Sequence, residues 1–335
     1  MPGCLALLSG ALDSLLAIRL MQLQEIDVEA LHFQTIYTNC HHEAAQAAHT
    51  LGIKLTIIKP DADYFELIES PRFGYGRGAN PCLDCRIYMF RKAAECMRQS
   101  EADFLISGEI IGQRAKDQKR RDLEIISFHS QLDDQLLRPL SALCLPPTLP
   151  ERSGLVDRNQ LYGFTGSSRK GLIELARELG VKQIPQIASG CALTEPAFGR
   201  KVFDLLQYNQ MNAVWDFESL KHGRHFRLDA KTKIIVGRNA SDNDALRSLH
   251  KTTPPISTVL ISPQNFPGPI VLVSGQISPK AVECAGALLL RFSRIGKTDP
   301  QTAEIDNGKS RREIIIQANP AVDRMKTLTQ TPHTN

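Results

Sequence analysis

The first two hundred residues of this chain alternate apolar runs with stretches of helical periodicity, and this alternation restricts the fold more than any other feature of the sequence. The apolar runs, each of a length suited to one strand, are Cys4–Leu8, Val28–Phe33, Leu55–Ile58 and Phe104–Ile106. The helical segments are Asp13–Leu23, His41–Leu51, Leu83–Arg98 and Ser168–Leu179. Strict alternation predicts an α/β fold, a parallel sheet flanked by helices. Ligands of such sheets bind at the carboxyl ends of the strands.

The remainder of the chain has a different pattern. Strand signals recur there at Phe226–Leu228, Lys233–Val236, Thr258–Ile261 and Ile270–Val273, and a helix begins at Ser278. A chain of 335 residues suits two domains at about 100–200 residues each. We therefore expect an α/β domain at residues 1–205, a smaller α+β domain at residues 206–320 and a polar, disordered tail at residues 321–335.

Composition places the chain among soluble globular proteins, with 42% hydrophobic and 23% charged residues. No apolar run approaches the ~20 residues that span a bilayer. The start of the chain lacks the basic region of a signal peptide. We expect a cytoplasmic protein without a membrane partner, and the net charge of +4 is only weak evidence for an anionic partner.

A short polar motif follows the first strand and opens the first helix: Leu8-Ser9-Gly10-Ala11-Leu12-Asp13-Ser14. Backbone N–H groups at a helix start, together with the helix dipole, bind anions. The hydroxyls of Ser9 and Ser14 add donors, and Asp13 can hold Mg²⁺ against a phosphate. The alternative is an ordinary Ser/Asp helix cap after a buried strand.

The motif resembles the Ser-Gly-Gly-x-Asp-Ser loop of the PP-loop (N-type) ATP pyrophosphatases. This resemblance implies an adenine nucleotide alpha-hydrolase-like fold that binds ATP and Mg²⁺ through Leu8, Ser9, Gly10, Ala11, Asp13 and Ser14. It also implies that Phe33 and Thr35, at the end of the second strand, approach the adenine, although Phe33 equally suits the core. Ala11 replaces the usual second glycine, and its methyl group would crowd a phosphate if the backbone needed a positive φ.

A second motif ends the strand at Phe104–Ile106: Ser107-Gly108-Glu109-Ile110-Ile111-Gly112-Gln113-Arg114. It is similar to the Thr-Gly-Glu-x-x-Gly-Gln stretch of the tRNA 4-thiouridine synthetases, and Arg138-Pro139-Leu140 resembles the Arg-Pro-Leu that follows in that family. The likeness implies that Gly108, Glu109 and Gln113 bind the nucleotide, with Gly108 allowing close approach. The alternative is a surface turn before a basic helix.

Three of the eight cysteines are candidates for chemistry. Cys82 and Cys85 lie one turn apart at a helix start, where the dipole favours thiolate, and Cys191 lies on a Gly-Cys loop. Their spacing is compatible with three roles: an iron–sulfur cluster, a persulfide and disulfide relay, and either zinc binding or a purely structural role. Resemblance to the iron–sulfur-dependent thiouridine synthetases implies a [4Fe-4S] cluster on these three ligands. The other cysteines suit buried positions.

A basic segment occupies the second half of the chain. Residues 221–251 hold eight Lys/Arg and three Asp, interleaved with His225 and Phe226. The stretches Arg227–Asp229 and Ile235–Asp244 look like the RNA-binding domain of the NFACT proteins. We expect RNA contacts from Arg224, Arg227, Lys231, Arg238 and Asn239. The alternative is a solvated strand pair.

Together the resemblances imply an ATP-dependent tRNA sulfurtransferase that forms thiouridine, 4-thiouridine first, with Asp13, Cys82, Cys85 and Cys191 as catalytic residues. Its partners would be tRNA and a sulfur donor, either a persulfide protein or inorganic sulfide. A homodimer is one assembly compatible with this interpretation. Two alternatives remain: another PP-loop amidotransferase or ligase, and a non-catalytic RNA-binding or ribosome-associated protein.

Overall fold

The chain forms two compact units in the computed structural model, which describes residues 3–38, 40–114, 117–181, 184–185, 190–208, 214–252, 256–295 and 300–330. The first unit comprises residues 1–76 and 80–192, and the second comprises residues 77–79 and 193–335. The main division therefore falls between Ala192 and Leu193, earlier than the boundary that we expected near residue 205.

The first unit is built on a parallel five-stranded sheet, as the alternating pattern predicted. Its strands are β1 Gly3–Leu7, β2 Asp27–Phe33, β3 Leu55–Ile58, β4 Phe104–Ser107 and β5 Leu136–Leu137. The spatial order β3-β2-β1-β4-β5 places β1 in the centre, between β2 and β4. The strand order reverses between β1 and β4, and a ligand site is expected where their carboxyl ends meet.

Helices cover both faces of this sheet: α1 Leu12–Leu23, α2 His41–Leu51, α3 Asp63–Glu69, α4 Cys82–Arg98, α5 Arg120–His129, α6 Leu149–Arg152 and α7 Lys170–Glu178. Side chains of β1 alternate between two cores. Cys4 and Ala6 pack with α1, α2 and α7, whereas Leu5 and Leu7 pack with α4 and α5. Because both faces are buried, β1 reads as a continuous apolar run.

The second unit contains a six-stranded antiparallel sheet in the order β11-β10-β8-β9-β7-β6. Its strands are β6 Arg224–Asp229, β7 Thr232–Val236, β8 Thr258–Pro263, β9 Val271–Gly275, β10 Gln301–Asp306 and β11 Arg311–Ile316. Its helices are α8 Pro196–Tyr208, α9 Val214–Ser219, α10 Ala240–Lys251, α11 Pro279–Arg291 and α12 Pro320–Asp323. One sheet face packs on α11 and the other on α10.

Part of the predicted disordered tail is ordered. The side chain of Asn319 accepts a hydrogen bond from the Ala321 N–H and so caps α12, and Val322 is buried in the core of the second unit. Further along, the Leu328 N–H donates to the carbonyl of His225 on β6. Residues 331–335 lie outside the described part of the chain.

Among the described residues, no helix combines the length and the apolar character that crossing a bilayer requires.

Candidate active site

The loop between β1 and α1 depends on a glycine at position 10. Gly10 has a φ of 81°, and a Cβ atom there would lie 2.6 Å from the backbone nitrogen of Ala44. Ala11 has a φ of −80° and a ψ of 159°, an extended conformation open to any residue. The positive φ that we considered for Ala11 therefore occurs at Gly10. The methyl group of Ala11 causes no backbone strain.

The start of α1 is open to a ligand. Ala11 occupies the N-cap position, and no side chain there accepts a hydrogen bond from the helix start. The Ser14 hydroxyl donates to the carbonyl of Ala11 at 2.9 Å, and the Ser9 N–H contacts the same hydroxyl oxygen at 3.3 Å. Ser9 is exposed, whereas Leu8 is buried in the core. The loop is thus held in shape while the N–H groups of the first helical turn remain available to an anion.

Asp13 lies in the first turn of α1. Its Oδ1 atom is buried and has no hydrogen-bond partner among the described residues. Burial raises the pKa of Asp13, while the charge of Arg169, a hydrogen bond with Gln113 and the charge of Arg114 act in the opposite direction. A buried oxygen without a donor suits a divalent cation, so the residues present fit a Mg²⁺ ion held by Asp13.

The loop after β4 meets the start of α1. A Cβ atom on Gly108 would lie 2.5 Å from the backbone nitrogen of Ser14, so the glycine allows the two loops to touch. We expected Gly108 to give access to a nucleotide; the close contact that it permits is with α1. Gln113, on the same loop, reaches Asp13.

Glu109 is enclosed by arginines. Its Oε2 accepts a hydrogen bond from Arg138 Nε at 2.9 Å, and its Oε1 lies 3.2 Å from Arg86 Nε. Burial alone would raise its pKa, but the charges of Arg86 and Arg138 outweigh burial and lower it. Glu109 is only 1% exposed, so the structure gives it a role in holding the β4 loop, and direct nucleotide binding by Glu109 stays a prediction.

The two residues assigned to adenine lie near the end of β2. Phe33 packs in the core with Leu5 and Leu7, which is the alternative that the sequence left open. Thr35 is buried, and its Oγ1 accepts a hydrogen bond from the Tyr37 N–H at 3.3 Å. Their contact with adenine remains a prediction.

The cysteines converge around a buried tyrosine. The Tyr64 hydroxyl lies 3.4 Å from Cys85 Sγ, and burial followed by the charges of Cys85 and Cys191 raises the pKa of Tyr64. Cys85 and Cys191 are thus both close enough to Tyr64 to act on it electrostatically. Cys82 Sγ accepts a hydrogen bond from Asn80 Nδ2 at 3.1 Å.

The expectation of a thiolate at Cys85 is wrong for this structure. Burial raises the pKa of Cys85 to about 11, because the opposing hydrogen bond from Tyr64 and the charge of Arg86 are weaker than desolvation. Within the described ranges, no three or more His, Cys, Asp or Glu side chains are arranged to hold a metal ion. In this part of the chain the three cysteines thus form no preassembled cluster site.

In the second unit, most of the residues expected to bind RNA bond within the protein. Arg227 forms a bidentate pair with Asp204, with Nε 3.0 Å from Oδ1. Arg238 pairs with Asp242, with Nε 2.6 Å from Oδ2, and Asn239 caps α10 by accepting from the Asp242 N–H at 2.9 Å. These contacts were not predicted, because the number of Lys and Arg in residues 221–251 does not indicate which carboxylate pairs with each cation.

The other two residues of that set are less constrained. The guanidinium of Arg224 lies over the ring of Phe292 at 4.7 Å and donates to the carbonyl of Gly237 at 3.4 Å. Lys231 is exposed in the turn between β6 and β7. The role of all five residues in RNA binding stays a prediction.

Comparison with known families identifies both parts of the chain. Residues 3–144 match the family described as thiamine biosynthesis protein (ThiI), and residues 223–326 match the NFACT protein RNA binding domain. The two matched segments are therefore similar to these families, and for this similarity we call residues 3–144 the ThiI-type domain. Both resemblances that the sequence suggested are thereby confirmed.

Solved structures with similar chains share low sequence identity. A predicted subunit of tRNA methyltransferase from Methanocaldococcus jannaschii is 16% identical, with a TM-score of 0.36, over 57% of this chain and 82% of that one. A 4-thiouridine synthetase in complex with RNA and ATP is 18% identical, with a TM-score of 0.39, over 56% of this chain and 44% of that one. The C-terminal part of the fibronectin/fibrinogen-binding protein from Streptococcus suis is 13% identical, with a TM-score of 0.27, over 73% and 90% of the respective chains. None of the curated protein sequences matches the chain.

Two residues near the phosphate loop of the ThiI-type domain escaped the sequence analysis. His32 on β2 is buried, and its Nδ1 donates to the carbonyl of Leu8 at 2.8 Å, immediately before Ser9. Arg169 precedes α7 and exerts the largest charge effect on the pKa of Asp13. Neither belongs to a local motif, and only the basic character of Arg169 at a helix start could have drawn attention to it.

Arg86 connects the two halves of the site in the ThiI-type domain. It follows Cys85 on α4, and its Nε lies 3.2 Å from Glu109 and 3.9 Å from Asp117. Glu109 belongs to the loop that touches the start of α1. One ion-pair network therefore holds the cysteine helix against the loop that borders the phosphate site.

Proposed function

We propose that this chain is an ATP-dependent tRNA sulfurtransferase that adenylates a uridine and replaces its oxygen with sulfur, with 4-thiouridine as the favoured product. The observation that carries the proposal is that the phosphate loop and the cysteine helix are both fastened to the β4 loop, through Gly108 and through the Glu109–Arg86 pair. The ThiI match supports an ATP-using, tRNA-modifying activity, and the NFACT match supports an RNA substrate.

ATP is proposed to bind with its phosphates at the open N-terminus of α1. N–H groups of the first turn and the exposed hydroxyl of Ser9 face the anion, and Arg114 and Arg169 add positive charge near Asp13. Asp13 would hold Mg²⁺ through its unpartnered oxygen. When bound, the ion neutralises charge that develops on the phosphates.

Adenylation solves a specific chemical problem, because a carbonyl oxygen of uracil is a poor leaving group. In the proposed step, that oxygen attacks the α-phosphorus of ATP, the bond to the β-phosphate oxygen breaks and pyrophosphate departs. The oxygen then leaves as part of AMP. The helix N-terminus and the arginines favour the negative charge that accumulates in the transition state.

Sulfur transfer is proposed to use Cys82, Cys85 and Cys191. A persulfide formed on one of these cysteines attacks the adenylated carbon and displaces AMP. A second cysteine then attacks the sulfur of the first, which releases the thiocarbonyl and leaves a protein disulfide. An external thiol reductant resets the pair. With inorganic sulfide as the donor, hydrosulfide displaces AMP directly and no disulfide forms.

The second unit is proposed to bind tRNA. Arg224 and Lys231 retain the freest cationic groups of the predicted set, whereas Arg227 and Arg238 would first have to exchange an aspartate for a phosphate. We propose that residues 1–205 carry the ATP-dependent reaction and that residues 206–320 bind RNA. We also propose that the protein forms a homodimer. Its proposed location is the cytoplasm, where thiols stay reduced.

One observation favours a second candidate, a PP-loop enzyme that adenylates its substrate without transferring sulfur. Burial raises the pKa of Cys85 to about 11, which disfavours the thiolate that sulfur transfer needs. This alternative shares the phosphate site and differs only after adenylation. The non-catalytic alternative loses its main support, since Ala11 adopts an unstrained conformation.

The test is a reaction with unmodified tRNA transcript, Mg-ATP and either sulfide or a persulfide donor, followed by nucleoside mass spectrometry. We expect thiouridine, AMP and pyrophosphate from the wild type. With the persulfide donor, Cys191→Ala should still release pyrophosphate but form no thiouridine. Cys144→Ala is the matched control, since that thiol donates to the carbonyl of Gly163, apart from the cysteine cluster. Pyrophosphate without thiouridine under every sulfur source would select the second candidate, and no pyrophosphate would reject both.

A further inference from the structure

The surface beside the cysteine helix carries aromatic rings that the proposed reaction does not use. Phe73 is 36% exposed and Phe128 is 66% exposed. The ring of His129 lies between them, 5.3 Å from the centroid of Phe73 and 5.2 Å from that of Phe128. We call these three rings the aromatic platform. Clustered exposed rings of this kind mark binding surfaces more often than isolated ones.

Arginines border the aromatic platform. The guanidinium of Arg72 lies 5.6 Å from the ring centroid of Phe73. Arg91 Nε donates to the carbonyl of His129 at 2.7 Å, which holds this cation at the end of α5. Aromatic rings flanked by guanidinium groups suit unpaired nucleobases and the phosphates between them.

A recess adjoins the platform. An open cavity of about 620 Å³ is lined by Arg91, Phe128, His129, Leu132 and Leu149, among others. It also contains Asp133 and Asp134, but the carboxylate of Asp134 is already paired with Arg152 at 2.7 Å. The walls of the recess include the apolar side chains of Phe128, Leu132 and Leu149, together with the cation of Arg91 and the acid Asp133, which is unpaired among the described residues. The recess is large enough to hold a flat ring against Phe128.

The platform is fixed relative to the cysteines. Asp84 lies between Cys82 and Cys85 in the first turn of α4, and its carboxylate accepts hydrogen bonds from the backbone N–H groups of Arg72 and Phe73, both at 3.0 Å. Asp84 is itself buried. A base stacked on Phe73 would therefore be held in a set position with respect to the two sulfurs.

We propose that the aromatic platform stacks unpaired bases of the RNA substrate and so positions the strand beside the cysteine helix. The proposal rests on the proposed function only in taking RNA as the partner. RNA is favoured over a protein because two guanidinium groups, one of them bonded to the carbonyl of His129, accompany the rings, a combination that pairs base stacking with phosphate attraction.

The test measures RNA affinity of the full-length chain at one fixed salt concentration, by fluorescence anisotropy with unmodified tRNA. A single-stranded oligonucleotide containing 2-aminopurine reports stacking directly through quenching. We expect Phe73→Ala and Phe128→Ala each to weaken binding about tenfold and to reduce quenching. Phe128→Trp should restore both. The matched control is Leu23→Ala at the end of α1, an apolar residue that is 50% exposed and lies outside the platform and its recess, and it should change neither.

Phe128 is exposed, so its replacement should leave the thermal melting curve intact. Unchanged RNA affinity and quenching in the Phe73/Phe128 double alanine variant would overturn the proposal, as would a loss of affinity for a persulfide-donor protein with RNA binding intact. The two proposals fail separately. Weakened RNA binding without pyrophosphate release would keep the platform and reject the enzyme, whereas thiouridine formation with normal RNA binding in the double variant would do the reverse.

Discussion

The loop before α1 and the loop before α10 share a sequence pattern but differ in what they leave open. Each follows a buried strand, contains glycine and places an aspartate in the first helical turn. Before α1, the N-cap Ala11 provides no acceptor and Asp13 keeps an unpartnered oxygen. Before α10, Asn239 caps the helix and Asp242 takes both arms of Arg238.

The difference teaches that a strand–glycine–helix pattern becomes an anion site only when side chains do not satisfy the helix start themselves. The loop at Arg238 has completed its hydrogen bonds within the protein. The loop at Asp13 has not completed its hydrogen bonds within the protein. This is a stronger reason to place ATP there than the similarity of its sequence to a motif.

The largest effect is expected from Gly10→Ala. A methyl group at a φ of 81° and 2.6 Å from the Ala44 nitrogen must displace the loop, so ATP binding should be lost in isothermal titration calorimetry. Ala11→Gly is the matched change, and it should leave affinity within about twofold because Ala11 is already unstrained. Tighter ATP binding by Ala11→Gly would show that the methyl group does crowd the phosphate.

Asp13→Asn and Asp242→Asn should have opposite consequences. Asp13→Asn should abolish Mg-dependent pyrophosphate release and leave the melting temperature unchanged or slightly raised, since burial disfavours its charge. Asp242→Asn should lower the free energy of unfolding by about 2 kcal/mol, because it breaks charged hydrogen bonds with Arg238. ATP turnover should survive in the second variant. Equal effects of both substitutions on turnover would remove the distinction between the loops.

Lys201, like Arg238, is a basic residue of the second unit whose side chain forms its hydrogen bonds within the protein. Its Nζ donates to the carbonyls of Leu220 and Gly223, and burial lowers its pKa from 10.5 to about 7. Between those values the unfolded chain binds a proton that the folded chain does not, so the free energy of unfolding rises with pH.

Lys201→Met should flatten that rise, measured by denaturant unfolding at pH 7 and pH 9. Lys231→Met, at an exposed position, is the control and should retain the wild-type slope. Parallel curves for all three proteins would show that Lys201 titrates normally.

The smallest effect is expected from Asn239→Ala. Loss of the side-chain acceptor for the Asp242 N–H should cost about 1 kcal/mol of unfolding free energy. RNA affinity, measured by anisotropy, should change less than twofold if Asn239 serves only as a cap. A tenfold loss of affinity with unchanged stability would instead support the RNA contact that the sequence suggested.

Periodicity predicted the first unit well because both faces of β1 are buried and its helices are regularly spaced. The hairpin β10–β11 gave no comparable signal. Arg311, Arg312 and Glu313 are exposed on its outer strand, so its apolar alternation is weak. The short helix α3 was also missed, although it carries Tyr64 to the cysteines.

The strand-to-helix turn at Ser9–Ser14 was predictable, because one short segment determines it. The candidate site was not predictable where its arrangement depends on long-range pairing. Glu109 and Arg138 belong to sequence motifs, but the motifs do not show that the two side chains pair. In the structure both are buried and form an ion pair. The acidity of Cys85 likewise follows from how deeply α4 is covered, which no local pattern records.

The contact between Gly108 and the first turn of α1 limits how this site can be rebuilt. With no space for even one carbon atom between the two backbones, neither loop can be lengthened or reshaped by itself. A designer who grafted the loop at Gly10 onto another parallel scaffold would have to transplant the adjacent loop as well, so the pair forms the smallest transferable piece of the candidate site.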